Sequence, residues 1–185
     1  MTKNIVLLKR EEKRIIHGAN DDPIGGLGTN RFIVHCNGNA SLVLQQTKDV
    51  LLLINRALQN GLPTLEEWQN ILPNYFVFRC SPINNIEYTE REIVVNRKIR
   101  SVLTADEILV WRNSVTWSLE NWIHWFQDEE RYWYWWDAVT YQENHIFVAI
   151  EIHEWPCSCE ELSWLFRGCG ACFVEPEPDD VNPSS

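Results

Sequence analysis

The segment "RYWYWWDAVTYQENHIFVAIEIHEW", residues 131–155, constrains the fold more than any other part of the chain. Two runs of aromatic and β-branched residues flank the turn-like "QENH", the pattern of a long antiparallel hairpin. Ile146, Val148, Ile150 and Ile152 recur at every second position and give the second strand one wholly apolar face. Its other face carries Phe147, Ala149, Glu151, His153 and Trp155. Strict alternation in the first strand groups Trp133, Trp135, Asp137, Val139 and Tyr141 on one side, with Tyr132, Tyr134, Trp136, Ala138 and Thr140 on the other. A core position would strip the Asp137 carboxylate of water, so the preferred register sets Asp137 beside Glu151 and His153. The expected product is a mixed face of Asp137, Glu151 and His153 among Trp133, Trp135, Tyr141 and Trp155. It is either covered by a further helix layer, with its polar groups hydrogen-bonded inside, or exposed with the composition of an interface hot spot.

Helices are expected on either side of this hairpin. Val43, Val50, Leu51, Ile54, Ala57 and Leu58 fall on one helical face over 41–60, and Gly61 supplies a stop. Thr64 with Glu67, and Thr104 with Glu107, have the Thr-x-x-Glu spacing of a capping box and start two further helices. Leu119, Trp122, Ile123 and Phe126 stand at helical spacing in "WSLENWIHWF". Strands are expected at "NIVLLKR" near the N-terminus, at "NRFIVHCN" over 30–37, at "YFVFRC" over 75–80, and at "EIVVNRKIRSV" over 92–102 as an exposed edge. The loop sequence "GGLG" has neither GxGxxG spacing nor a GK[ST] tail, so it offers no phosphate cradle. The fold class that follows is α+β: one domain over 1–176, with a mostly antiparallel sheet packed by four or five helices, and a disordered acidic tail over 177–185.

Four of the six cysteines lie in "HEWPCSCEELSWLFRGCGAC", as CxC, nine residues, then CxxC. Four thiolates on one zinc must lie within about 4 Å of each other. Ser158 as N-cap with Glu161 three residues on, the stripe Leu162, Leu165 and Phe166, and the stops Gly168 and Gly170 make the spacer a helix. At a rise of about 1.5 Å per residue such a helix holds the two pairs about 15 Å apart, so no shared metal is expected. Core filling is the favoured role for these cysteines. A catalytic alternative has Cys159 as a first-turn thiolate with His153 as base, although Glu160 and Glu161 oppose that thiolate. A second has Asp137 and Glu151 as a carboxylate pair beside sugar-stacking tryptophans.

Charge separates the halves. Residues 1–100 carry 13 Lys and Arg against 10 Asp and Glu, or +3, whereas residues 101–185 carry 3 against 16, or −13. The acid run Asp128, Glu129 and Glu130 adds to that field and joins the candidate contacts. Such a field repels phosphates and argues against direct nucleic-acid binding. It serves solubility, and it speeds encounter with a basic partner. No apolar run reaches the h-region of a signal peptide or the length of a membrane helix, so a cytoplasmic protein with reduced cysteines is expected. The function expected from charge and composition is a non-catalytic binding module, without cofactor or metal. Its model is an immunity or inhibitor-type protein that holds a basic partner such as a nuclease toxin.

Overall fold

A computed structural model describes residues 3–19, 28–81, 90–127, 130–153, 157 and 159–178. Four strands, β1 (Gly28–His35), β2 (Trp133–Tyr141), β3 (His145–Ile152) and β4 (Phe173–Pro176), form one sheet in the order β2-β3-β1-β4. Every pairing is antiparallel. The helices are α1 (Lys3–His17), α2 (Ala40–Asn60), α3 (Leu65–Ile71), α4 (Asn74–Val77), α5 (Glu90–Val102), α6 (Ala105–Ser114), α7 (Leu119–His124) and α8 (Glu160–Gly168). The α+β class holds, and no helix among the described residues is long and apolar enough to cross a membrane.

The hairpin of β2 and β3 forms as its alternation requires, with one departure. Trp135 pairs with Ile150, but Asp137 pairs with Ala149, so Trp136 is an extra residue in a β-bulge. A bulge reverses the phase of alternation. Trp133 and Trp135 therefore join Ile146, Val148, Ile150 and Ile152 in the core, at 1% and 0% exposure, instead of sharing a face with Asp137 and Tyr141.

The core lies against this apolar side of the sheet. Val43, Val50, Leu51 and Ile54 of α2 and Leu162, Leu165 and Phe166 of α8 are buried there, as the helical spacing requires. A chain of aromatic contacts crosses the core from Phe76 to Trp122 (4.6 Å between ring centroids), then to Phe126 (4.8 Å) and Trp133 (5.9 Å). Gly168 is buried because the Phe76 ring takes the space of a side chain: an added Cβ would stand 2.4 Å from Phe76 Cε2. Both Thr-x-x-Glu capping boxes form, at Thr64–Glu67 and Thr104–Glu107. Gly61 ends α2 with φ 126°, a conformation suited to glycine.

Three segments read as strands are helices. "NIVLLKR" lies inside α1, "YFVFRC" contributes to the single turn α4, and "EIVVNRKIRSV" belongs to α5, which raises the helix count above the expected four or five. In α1 the inward positions are Leu8, Glu11, Arg14 and Ile15. Two charged residues sit in its buried stripe and break the apolar period that would have marked it as a helix. Phe76 in α4 is fully buried and its C-cap residue Phe78 is 83% exposed, an opposition that one strand face could not provide. The strand pattern in α5 came from β-branched residues, two of which, Val94 and Val95, are exposed.

Candidate functional site

Helix α1 covers the outer edge of β2 and joins two buried ion networks. Glu11 Oε1 accepts from Arg131 Nη2 (2.6 Å) and from the Trp135 backbone N–H (2.7 Å), and Oε2 accepts from Asn55 Nδ2 (2.8 Å). The carboxylate thus satisfies an edge amide of β2 and neutralises an arginine whose side chain is 1% exposed. One turn on, Arg14 Nη1 lies 2.5 Å from Glu151 Oε2, and its guanidinium stacks 3.9 Å from the Trp136 ring centroid. Arg10 and His153 approach Glu151 Oε1 at 3.6 and 3.5 Å, and the His153 ring meets Tyr134 edge-on.

Glu151 is thus a structural anion with no exposure, at Cα register with Tyr134 and Thr29, while Asp137 pairs with Ala149. Asp137 Oδ1 accepts from the Ala138 N–H, and both its carboxylate oxygens lie beside Gly18. The two carboxylates differ in environment: one is sealed under arginines, and the other borders the open side of the sheet.

That open side is the reverse of the core. Its residues are Asp137, Val139 and Tyr141 of β2, Phe147 and Ala149 of β3, Arg31, Ile33 and His35 of β1, and Phe173 and Glu175 of β4, by strand alternation and register. Val139 is 62% and Tyr141 55% exposed. The Tyr141 ring packs edge-on against Phe147 (5.7 Å), and His35 packs against His145 and Phe173 while bonding Glu175 Oε1 at 2.8 Å. A shallow groove of about 190 Å³ runs between Asp137, Val139, Phe147, Ala149, Arg31 and Glu177. Arg31 and Glu177 approach to 3.7 Å, with little effect on stability because the arginine is 70% exposed. Beyond β4, the Glu177 N–H still bonds the Arg31 carbonyl, so order extends past the expected start of the tail. Residues 179–185 lie outside the described residues.

A larger cavity, about 760 Å³, opens between β1, β4, α6 and α8. Cys157, Cys159, Glu160, Arg112, Asn113 and Ser163 contribute to its wall. The Sγ atoms of Cys157 and Cys159 lie 3.6 Å apart, and Arg112 Nε lies 3.3 Å from Glu160 Oε1. Asn113 Nδ2 donates to the Val174 carbonyl and its Oδ1 accepts from the Val174 N–H, so one side-chain amide closes the outer edge of β4.

Cys159 is the N-cap residue of α8 and makes no side-chain cap bond; Ser158, the expected cap, lies outside the described residues. Its thiol is held far above the ordinary range, first by the hydrogen bond with Cys157, then by burial and by the Cys157 and Glu161 charges. That opposes the thiolate a nucleophile requires. His153 is committed to Glu151 and Tyr134, on the strand side of the corner. Glu161, now the second helical residue, is buried, and its Oε1 accepts from Trp133 Nε1 at 2.5 Å. Burial pushes its carboxyl up to about 7.

The residues expected to share one surface are therefore divided. Trp133 and Trp135 are core, Glu151 and His153 belong to the α1 network, and Asp137 and Tyr141 remain on the open face. Glu130 stands 4.0 Å from His124, whereas Trp155, Asp128 and Glu129 lie outside the described residues. Among the described residues no group of three or more His, Cys, Asp or Glu side chains is placed to hold a metal. Phe147 and Ala149 lie on the face that alternation assigns them, whereas Ile33, His35 and Glu175 join that face only through the β3-β1-β4 order, which leaves no local signal. No family model, curated protein or solved structure matches the chain.

Proposed function

We propose that the protein is a non-catalytic, cytoplasmic binding module that holds a basic protein on the open face of its sheet, as an immunity or inhibitor-type protein holds a basic toxin. The observation that carries this reading is the face itself: Val139 and Tyr141 are more than half exposed beside Asp137, with Glu175 and Glu177 across the sheet. Exposed aromatic and aliphatic side chains supply desolvated contact area, and carboxylates around them select a cationic partner. A chain net charge of −10 adds long-range attraction. The same field keeps nucleic acid away, which suits a protein that competes with nucleic acid for a nuclease surface.

Affinity capture with the full chain, followed by calorimetry on the purified partner, tests the proposal. The expected partner has an excess of Lys and Arg, loses at least tenfold in affinity between 50 and 300 mM salt, and is lost on Tyr141→Arg. Binding that survives Tyr141→Arg unchanged, or that is indifferent to salt, overturns it.

A further inference from the structure

The cavity beside β4 is walled by two thiols whose separation fits a reversible covalent bond. Cys157 and Cys159 Sγ are 3.6 Å apart, a sulfur hydrogen-bond distance, and a disulfide needs about 2.05 Å. Closing the gap takes about 1.5 Å of movement. Cys157 stands between β3 and α8, itself in no ladder or helix, and Cys159 is at the N-cap with φ −123° and no side-chain cap bond to break. The other four cysteines are placed differently: Cys36 and Cys169 are buried at 8% and 2% exposure, Cys80 bonds the Phe76 carbonyl through its thiol, and Cys172 is exposed. Both residues of the CxC pair line a cavity of about 760 Å³, large enough to admit a small oxidant beside them.

We propose that Cys157 and Cys159 form a reversible dithiol–disulfide site, oxidised by low-molecular-weight disulfides of the glutathione type. Cys157, as thiolate, attacks one sulfur of the oxidant; an S–S bond forms to Cys157 and the first small thiolate leaves. Cys159 then gives up its proton and its sulfur attacks the Cys157 sulfur, expelling the second small thiolate. The two protein thiols lose two electrons and two protons; the oxidant gains both and leaves as two thiols. Cys159 is the resolving partner because its proton is held chiefly by the Cys157 sulfur, and that hold is released once Cys157 is tied up in the mixed disulfide. A bridge between residues two apart closes a small, strained ring, the labile kind that serves regulation. It remodels the wall at the first turn of α8, where Glu160 holds Arg112.

Proteolysis gives a direct readout. The tryptic segment from Tyr132 to Arg167 contains no internal Lys or Arg, and Cys157 and Cys159 are its only cysteines. The folded full chain is incubated with oxidised glutathione, blocked with iodoacetamide, digested and weighed. The expected segment is unalkylated and lighter by two hydrogens, and dithiothreitol restores it. Cys159→Ser should trap glutathione on Cys157, and Cys157→Ser should leave Cys159 unmodified. A wild-type segment that stays glutathionylated or fully alkylated overturns the proposal. The wild-type measurement decides the matter even if a variant fails to fold.

Discussion

Glu161→Gln isolates the thermodynamic effect of one buried acid. Glu161 is 3% exposed, and its carboxyl is raised from 4.5 to about 7, chiefly by burial and further by the Glu160 carboxylate, against the Trp133 hydrogen bond and Arg131. A raised folded-state value means that the folded protein binds the proton more tightly than the unfolded chain. Stability from this group is complete below pH 4.5 and is lost as pH rises through about 7. At about 1.36 kcal/mol per pH unit, the gap between 4.5 and about 7 corresponds to about 3 kcal/mol. Glutamine copies the neutral acid: its carbonyl can accept from Trp133 Nε1 while carrying no charge. Glu161 Oε2 has no hydrogen-bond partner among the described residues, so the new amide group adds a constant penalty of about 1–3 kcal/mol that does not vary with pH. The diagnostic quantity is therefore a difference of differences. Urea unfolding followed by tryptophan fluorescence at pH 4, 6 and 8 should show the variant gaining about 3 kcal/mol on wild type across the series. Carboxyls that do not interact with Glu161 cancel in that comparison, and neighbouring Glu160 is the one coupled to it. A variant-minus-wild-type difference that stays flat from pH 4 to pH 8 refutes the reasoning, because it would mean that Glu161 is not protonated preferentially by folding.

Glu11→Ala should lower stability by about 3–5 kcal/mol in urea unfolding, since it strands Arg131, the Trp135 amide and Asn55; adding Arg131→Met should recover part of the loss. A single-variant loss under about 1 kcal/mol would deny the network its role. Gly168→Ala should cost about 1–3 kcal/mol because its Cβ enters the Phe76 ring, and Phe76→Leu should cost less in that background than in wild type. Additive thermal-melt losses would contradict the contact. Iodoacetamide at pH 8 should label exposed Cys172 in the folded chain while Cys36 and Cys169, pushed up by burial to about 11 and about 12, stay protected until unfolding. Equal labelling rates would overturn that ordering.

The hairpin was legible because its signal is local: alternation, β-branched residues and a polar turn lie within 25 contiguous residues, 131–155. Both capping boxes were legible for the same reason, as each is complete within four residues. Helix α1 was not, because Glu11 and Arg14 occupy its inward face and are tolerated only by partners more than 100 residues away, Arg131 and Glu151. The mixed surface failed on one residue. Strict alternation carries Trp133, Trp135 and Asp137 together, and the cost of burying Asp137 is avoided by a bulge at Trp136 and not by turning the tryptophans outward. A bulge costs one unpaired residue, whereas exposing two tryptophans forfeits several kcal/mol of burial, roughly 3 kcal/mol or more for each ring. An aromatic stretch with one carboxylate in phase with its core residues is therefore a signature of a bulge as much as of an interface.

The same bookkeeping changes what the charge asymmetry means. Counted along the chain, residues 101–185 carry 16 acidic side chains, and all would seem available to a partner. Folding withdraws Glu151 beneath Arg10 and Arg14 of the basic N-terminal half and turns Glu161 inward from α8 onto Trp133. Part of the opposition between the halves thus joins α1 to the sheet within one molecule. Only carboxylates without an internal arginine can steer a partner, and Asp137 and Glu175 are such groups on the open face, where Arg31 is the arginine nearby. Attraction concentrated on a face that also exposes Val139 and Tyr141 gives orientation as well as encounter. Neutralising Asp137 should therefore slow association with the basic partner more than it speeds dissociation, whereas truncating Tyr141 should act mainly on dissociation. Stopped-flow association at two salt concentrations separates the two effects, and equal changes in both rates for both variants would show that charge and contact area do not divide the face in this way.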